Sequence, residues 1–284
     1  MKKKIFLFSW FLAAVLLMII GCSGESNDMT KNEVHVYGSI KEVPDTEWEK
    51  LSKKTIFFGH QSVGFNIIDG MQDIIKEYPR IKLTFSTLDK KDGVKQEGLF
   101  VHSEIGKNRD PVSKINDFAS IMNNAKGKKF DIVFLKLCFI DIDDQTNIHQ
   151  LLQHYNKTME SLKSSFPKTK FIHLTVPLSY SKTTWKTWLK KIVGKKKIWE
   201  YDDNIRKNEY NDLLRQYYAA KEPLFDLATI ESTLPDGTRS VFKSNGNTYH
   251  QLAPDYTFDE GHLNDIGRRI VAEQLLLFLV NNQP

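Results

Sequence analysis

The 284-residue chain has only two cysteines, Cys22 and Cys138. The fold must therefore stand on its hydrophobic core and not on a disulfide framework. Glycine-rich phosphate loops are absent, which argues against nucleotide-dependent chemistry, and no cofactor is expected. Internal repeats and low-complexity tracts are absent too. His102, His173 and His250 are scattered, without the closely converging partners that a metal centre needs, so no metal site is predicted. An excess of one charge is also missing. The formal net charge is +5, and removal of Lys2, Lys3 and Lys4 with a leader leaves about +2. That balance is too close to neutral for a nucleic-acid binder.

What the chain does have begins at its N-terminus. The three lysines precede a largely apolar run, Ile5 to Ile20, and Gly21-Cys22-Ser23-Gly24 follows. Basic, apolar, then small is the order of a secretory signal. The run is short for a helix that must cross about 30 Å of hydrocarbon. Ile19-Ile20-Gly21-Cys22 resembles the lipobox of bacterial lipoproteins; an uncleaved anchor is the alternative. The resemblance implies a signal peptide over residues 1–21 and acyl chains such as palmitate on Cys22. It implies a lipid-anchored protein on the extracytoplasmic side of the cell membrane. Each buried methylene contributes only about 0.8 kcal/mol, so stable attachment needs more than one acyl chain. With Cys22 so used, Cys138 reads as a small buried hydrophobe.

Residues 22–45 are polar with little apolar periodicity and read as a tether. From there to residue 284 the chain alternates. Short apolar runs read as five strands, at Thr55–Phe58, Leu83–Ser86, Ile132–Leu137, Lys170–Thr175 and Leu224–Leu227. Helical patterns cover Gly64–Glu77, Val112–Asn123, Ile148–Ser165, Asn204–Ala219 and Asp265–Leu279. Alternation of this kind predicts one α/β domain over 46–284: a doubly wound, flavodoxin-like three-layer sandwich with a mostly parallel five-stranded sheet. Ser181–Tyr201, rich in Lys and Trp, reads as an inserted amphipathic helix. Leu234–Thr257, with Pro235-Asp236-Gly237 and Asn245-Gly246-Asn247, reads as a hairpin or long loop.

The chemistry concentrates in two places. Asp259-Glu260-Gly261-His262 precedes the terminal helix. There an aspartate can accept the histidine Nδ1 proton and leave Nε2 as a general base. At the other end of the domain, Thr55–Gly64 runs from a strand through Gly59-His60-Gln61-Ser62 into a helix. A serine in such a turn has an exposed Oγ and a helix N-terminus that favours developing negative charge. Its everyday role there is a helix cap. His60 is read as a structural or substrate-orienting residue, and Asp141 as a tie between loops.

With these positions in view, residues 51 to 280 resemble the SGNH hydrolase superfamily, also called GDSL esterases. The Asp259-Glu260-Gly261-His262-Leu263-Asn264 block is the most specific match. The resemblance implies Ser62 as nucleophile, His262 as base and Asp259 as its orienter. It implies an oxyanion hole from the N–H groups of Ser62 and Gly106. The family asparagine of the third block falls at Ile140, and Asn108 is the substitute. Loss of one oxyanion donor typically costs about 10²- to 10³-fold in rate. The expected function is a membrane-anchored serine esterase whose partner is an ester substrate, with an acylated surface glycan as one candidate. The alternatives are an O-acyltransferase acting on cell-wall or capsule polysaccharide, and a non-catalytic lipoprotein that binds a ligand on the same scaffold.

Overall fold

The computed structural model describes residues 36–88, 98–124, 130–181 and 199–284. The predicted signal peptide, Cys22 and nearly all of the 181–201 insertion lie outside the described residues. In chain order the elements are α1 (Asp45–Leu51), β1 (Thr55–His60), α2 (Val63–Glu77), β2 (Thr84–Thr87), β3 (Leu99–Glu104), α3 (Pro111–Asn123), β4 (Ile132–Leu135) and α4 (Ile148–Ser165). They continue with β5 (Lys170–Leu174), α5 (Trp199–Tyr218), β6 (Leu224–Phe225), α6 (Leu227–Glu231), β7 (Val241–Ser244), β8 (Asn247–His250) and α7 (Asp265–Asn281).

Six strands pair in parallel in the order β2-β3-β1-β4-β5-β6, so the count is six where five are predicted. The additional strand is β3, which pairs with both β1 and β2. Only Leu99, Phe100 and Val101 of it are buried. The polar His102-Ser103-Glu104 half hides the strand from a search for apolar runs. Both faces of the sheet are covered, as parallel strands require. Ile56 and Phe58 of β1 join the core formed with α1, α2 and α7, while Phe57 joins the opposite core with α3, α4 and α5. The two-residue period of the strand divides one sequence run between two cores. Three layers result.

Packed residues begin earlier than the predicted domain. Ile40 and Val43, inside the expected tether, are buried at 2% and 1% exposure, and Tyr37 and Asn281 exchange hydrogen bonds at 3.1 and 3.2 Å. Isolated apolar residues such as Ile40 and Val43 carry no periodic signal, yet they cover the end of α7. The 234–257 stretch forms the hairpin β7–β8, turned at Asn245 and Gly246, both at positive φ. Such paired positive φ values suit the twist of adjoining strands.

Strand order places the site. From β1 the chain moves outward to β2, returns through β3 to β1's side, and then crosses to β4 on β1's other flank. The reversal beside β1 opens a crevice at its carboxyl end, where α/β sheets seat their ligands. Ser62 stands two residues beyond that end.

Candidate active site

Ser62 caps the N-terminus of α2 in position but not in chemistry: its side chain makes no capping hydrogen bond. Its backbone has φ 50° and ψ −108°, a conformation that costs a non-glycine residue on the order of 1–3 kcal/mol and persists only when its surroundings impose it. Gly64 N–H donates to Gln61 O and Phe65 N–H to Ser62 O, closing the turn at 3.0 and 2.8 Å. The turn aims Ser62 Oγ at His262 Nε2, and the two are hydrogen-bonded. Ser62 N–H has no acceptor among the described residues and stands at the positive end of the α2 dipole.

Asp259 and His262 reach this point through a self-organised loop. Asp259 Oδ1 accepts the backbone N–H groups of Gly261 and His262 at 3.1 and 2.7 Å, which leaves Oδ2 to accept His262 Nδ1–H at 2.6 Å. With Nδ1 protonated, Nε2 is the acceptor for the serine hydroxyl. Burial opposes ionisation of Asp259, but the N–H and imidazole donors outweigh it and hold the carboxyl below its usual range. Three tethers fix the loop: Leu263 N–H to Asn66 Oδ1 at 3.3 Å, Tyr180 N–H to Glu260 O at 2.8 Å, and the Asn264 side chain, which caps α7 through Ile266 and Gly267. The Phe139 ring stands perpendicular to the imidazole, with centroids 5.4 Å apart. A Cβ at position 261 would lie 2.3 Å from that ring, so glycine is required there. Phe258, 71% exposed, lies nearly parallel to the imidazole at 6.3 Å.

The opposite wall departs from expectation. Gly106 N–H, predicted to face the oxyanion, donates to Asp117 Oδ2 at 2.9 Å and is thereby engaged within its own loop. Asn108, the predicted substitute donor, has its Oδ1 held by Lys114 Nζ at 3.0 Å, its one hydrogen bond among the described residues. Asn108, through Lys114, joins a buried network centred on Asp141. Asp141 Oδ1 accepts Arg109 N–H at 2.9 Å, and Oδ2 accepts Cys138 N–H and Lys114 Nζ, each at 2.6 Å. Asp141 thus ties the loop after β3 to the loop after β4. Gln61 completes the frame by donating from Nε2 to Ile105 O and Gly106 O at 3.0 and 2.7 Å.

His60 is fully buried, which matches the structural side of its expected role and leaves its ring no exposed surface to offer a substrate. It ends β1 on the same face as Ile56 and Phe58, so its ring points into the core. Nε2 meets His102 Nδ1 at 3.1 Å, and Phe65 packs edge-on against the ring at 4.7 Å. A Cβ on Gly64 would come within 2.3 Å of the imidazole, so His60 is the reason for glycine there. Burial, reinforced by Lys136 and His102, pushes its pKa down to about 2, and the ring stays neutral. Sequence reasoning missed Lys114, Asp117 and Lys136. A lysine inside the run Ile132–Cys138 is the signal that was available. Lys136 Nζ, fully buried and pulled below its usual pKa by that burial, donates to Leu137 O and Cys138 Sγ, both at 3.3 Å. Cys138 Sγ in turn lies 3.6 Å from Gln61 O, beneath the turn that carries Ser62.

No family model matches this chain, and no curated protein matches it. Among solved structures, the chain is similar to a lipase, an esterase and an acetyltransferase. One is a GDSL-like lipase from Bacteroides thetaiotaomicron VPI-5482, at 14% identity over 81% of this chain and 89% of that one, with a TM-score of 0.47. A second is an acetyl esterase mutant bound to acetate, at 13% identity over 80% and 96%, with a TM-score of 0.43. A third is the periplasmic domain of a lipopolysaccharide acetyltransferase from Salmonella Paratyphi A, at 12% identity over 78% and 82%, with a TM-score of 0.40. The functional reading below rests on the geometry of Ser62, His262 and Asp259 and not on these likenesses.

Proposed function

We propose that this chain is a serine esterase of the SGNH type, anchored through lipid on Cys22 to the outer face of the cytoplasmic membrane and acting on esters of small acyl groups, with acylated surface glycans as substrate. The observation that carries the reading is the chain of contacts from Ser62 Oγ to His262 Nε2 and from His262 Nδ1 to Asp259 Oδ2. It joins residues 200 positions apart in sequence. In the reaction, Ser62 Oγ attacks the ester carbonyl as His262 takes its proton, and Asp259 stabilises the imidazolium. The oxyanion forms against Ser62 N–H and the N-terminus of α2. Collapse expels the alcohol, which takes the proton back from His262. A water molecule, deprotonated by the same imidazole, then releases the acyl group from Ser62.

The test is hydrolysis of p-nitrophenyl acetate by the parent, Ser62→Ala and His262→Ala. Both variants should lose turnover to background, and parent-level activity in Ser62→Ala would end the assignment. A second reading, a ligand-binding protein on an inactive scaffold, draws support from the engagement of Gly106 N–H by Asp117. Covalent labelling by a fluorophosphonate decides between the two, because only an activated serine reacts. The anchor is tested separately: Cys22→Ala should move the protein from the membrane fraction to the soluble one.

A further inference from the structure

Beyond Ser62, on the flank of the sheet formed by β6, lies a polar cleft of about 470 Å³ bounded by α5, α6 and the β7–β8 hairpin. Its polar walls are held in place by one another. Arg215 donates to the two oxygens of Asp226 at 2.8 Å each and to Asp212 at 2.7 Å. Asn208 donates from Nδ2 to His250 O at 2.9 Å and accepts His250 N–H at 3.1 Å. Arg239 donates to Ser232 Oγ at 2.9 Å, and its Nε is buried without an acceptor. Tyr249 lines the same cleft with its ring supported on Phe242, at 5.6 Å between centroids, and Phe242 rests on Tyr201 at 5.1 Å.

We infer that this cleft binds a saccharide. Its lining excludes the other ligand classes in turn. Charged and amide groups make it a poor seat for an apolar chain. Two arginines face Asp212, Asp226 and Glu209, so no positive charge is left over to hold a free anion. The three carboxylates are already engaged, Asp212 and Asp226 by Arg215 and Glu209 by Arg206, and no metal-binding cluster exists among the described residues. A neutral polyol is what remains. Each of its hydroxyls donates and accepts, and the cleft offers carboxylate and amide oxygens beside guanidinium and amide N–H groups. Tyr249 adds a fixed flat surface beside them. Because the walls are braced without ligand, little ordering remains to oppose binding.

The cleft connects to the catalytic loop through one short segment. Tyr180 N–H donates to Glu260 O at 2.8 Å, and Ser179 N–H donates to Asn204 Oδ1 at 3.0 Å, beside His250. A glycan seated at Tyr249 is the carrier whose ester Ser62 cleaves. That carrier role rests on the esterase reading, whereas the binding itself does not.

The experiment is saturation-transfer NMR on the full chain carrying Ser62→Ala, with tetrasaccharides of neutral hexoses and of N-acetylhexosamines as probes. At least one probe should bind, and Tyr249→Ala and Arg239→Gln should each weaken it by about tenfold, a loss of roughly 1.4 kcal/mol. Thr248→Trp, at an exposed position on the cleft wall, should block binding without disturbing the core. Lys243→Ala, on the exposed edge of β7, should leave binding unchanged. Absence of binding by every probe, or binding indifferent to Tyr249→Ala and Thr248→Trp together, would overturn the inference. Ester hydrolysis by the parent is measured in parallel. Turnover without saccharide binding removes the cleft alone, and binding without turnover removes the esterase alone.

Discussion

The two walls beside Ser62 use the same materials, carboxylates and backbone N–H groups, to different ends. On the Asp259–Asn264 side, one carboxylate oxygen collects the N–H groups of Gly261 and His262, and the other is left to face the imidazole. On the side of the loop after β3, Asp117 and Asp141 collect the N–H groups of Gly106 and Arg109, and Lys114 closes the network. The first arrangement points chemistry outward; the second turns its donors inward and makes a rigid wall. Residue type alone does not separate them. What separates them is where the carboxylate enters, from within the loop for Asp259 and from the neighbouring helix or loop for Asp117 and Asp141.

The largest effect that would break this contrast lies on the outward side. Asp259→Asn should lower kcat for p-nitrophenyl acetate by about 10⁴-fold with KM little changed, because the wrong imidazole tautomer is then favoured. On the inward side, Lys114→Met strands the Asp141 carboxylate, which is 0% exposed together with its partner. Urea unfolding should show a loss of about 3–5 kcal/mol. Asp117→Ala sharpens the comparison. It should remove about 1.5–3 kcal/mol of stability with the lost charge-assisted bond while kcat/KM stays within a few-fold. A rate change near 10²-fold would instead return Gly106 to the oxyanion hole.

Smaller effects test the packing beneath both walls. His60 is held near pKa 2 in the fold and would titrate near 6.5 when unfolded. The depressed folded value means that the unfolded state binds the extra proton. Stability is therefore full above about pH 6.5 and falls as pH drops toward 2, by up to about 1.4 kcal/mol per pH unit. In urea titrations below pH 6, His60→Gln should show a shallower acid slope than the parent. Phe258→Ala comes last. At 71% exposure its removal should change stability by less than about 0.5 kcal/mol, so any shift in KM for longer acyl esters would report a substrate contact.

Much of the fold was legible because strands buried on both faces read as apolar runs and helices carry their own period. β4 and β5 lie within their predicted stretches, β1 runs past its own to end at His60, and α4 matches its predicted limits. β3 was not legible, since half of it is polar, and α1 is too short to carry a period. The role of His60 was readable from the alternation Ile56, Phe58, His60, which places it on an inward face. Gly106 and Asn108 were misplaced for a different reason. A loop's sequence names its polar groups but not their partners, and here Gly106 N–H is taken by Asp117 on α3 while Asn108 Oδ1 accepts from Lys114, which also donates to Asp141.

The chain's own order of residues determined the alternation of strand and helix and the local pairing of Asp259 with His262, which are only three positions apart. Those features depend on neighbours along the backbone, whose geometry is nearly independent of the rest of the fold. Tertiary structure alone decided that Ser62 meets His262, and that Asp141 closes on Arg109 and Lys114. Such pairings are set by the packing of helices against a sheet whose strand order places distant segments side by side, and that order is written in no single stretch of sequence.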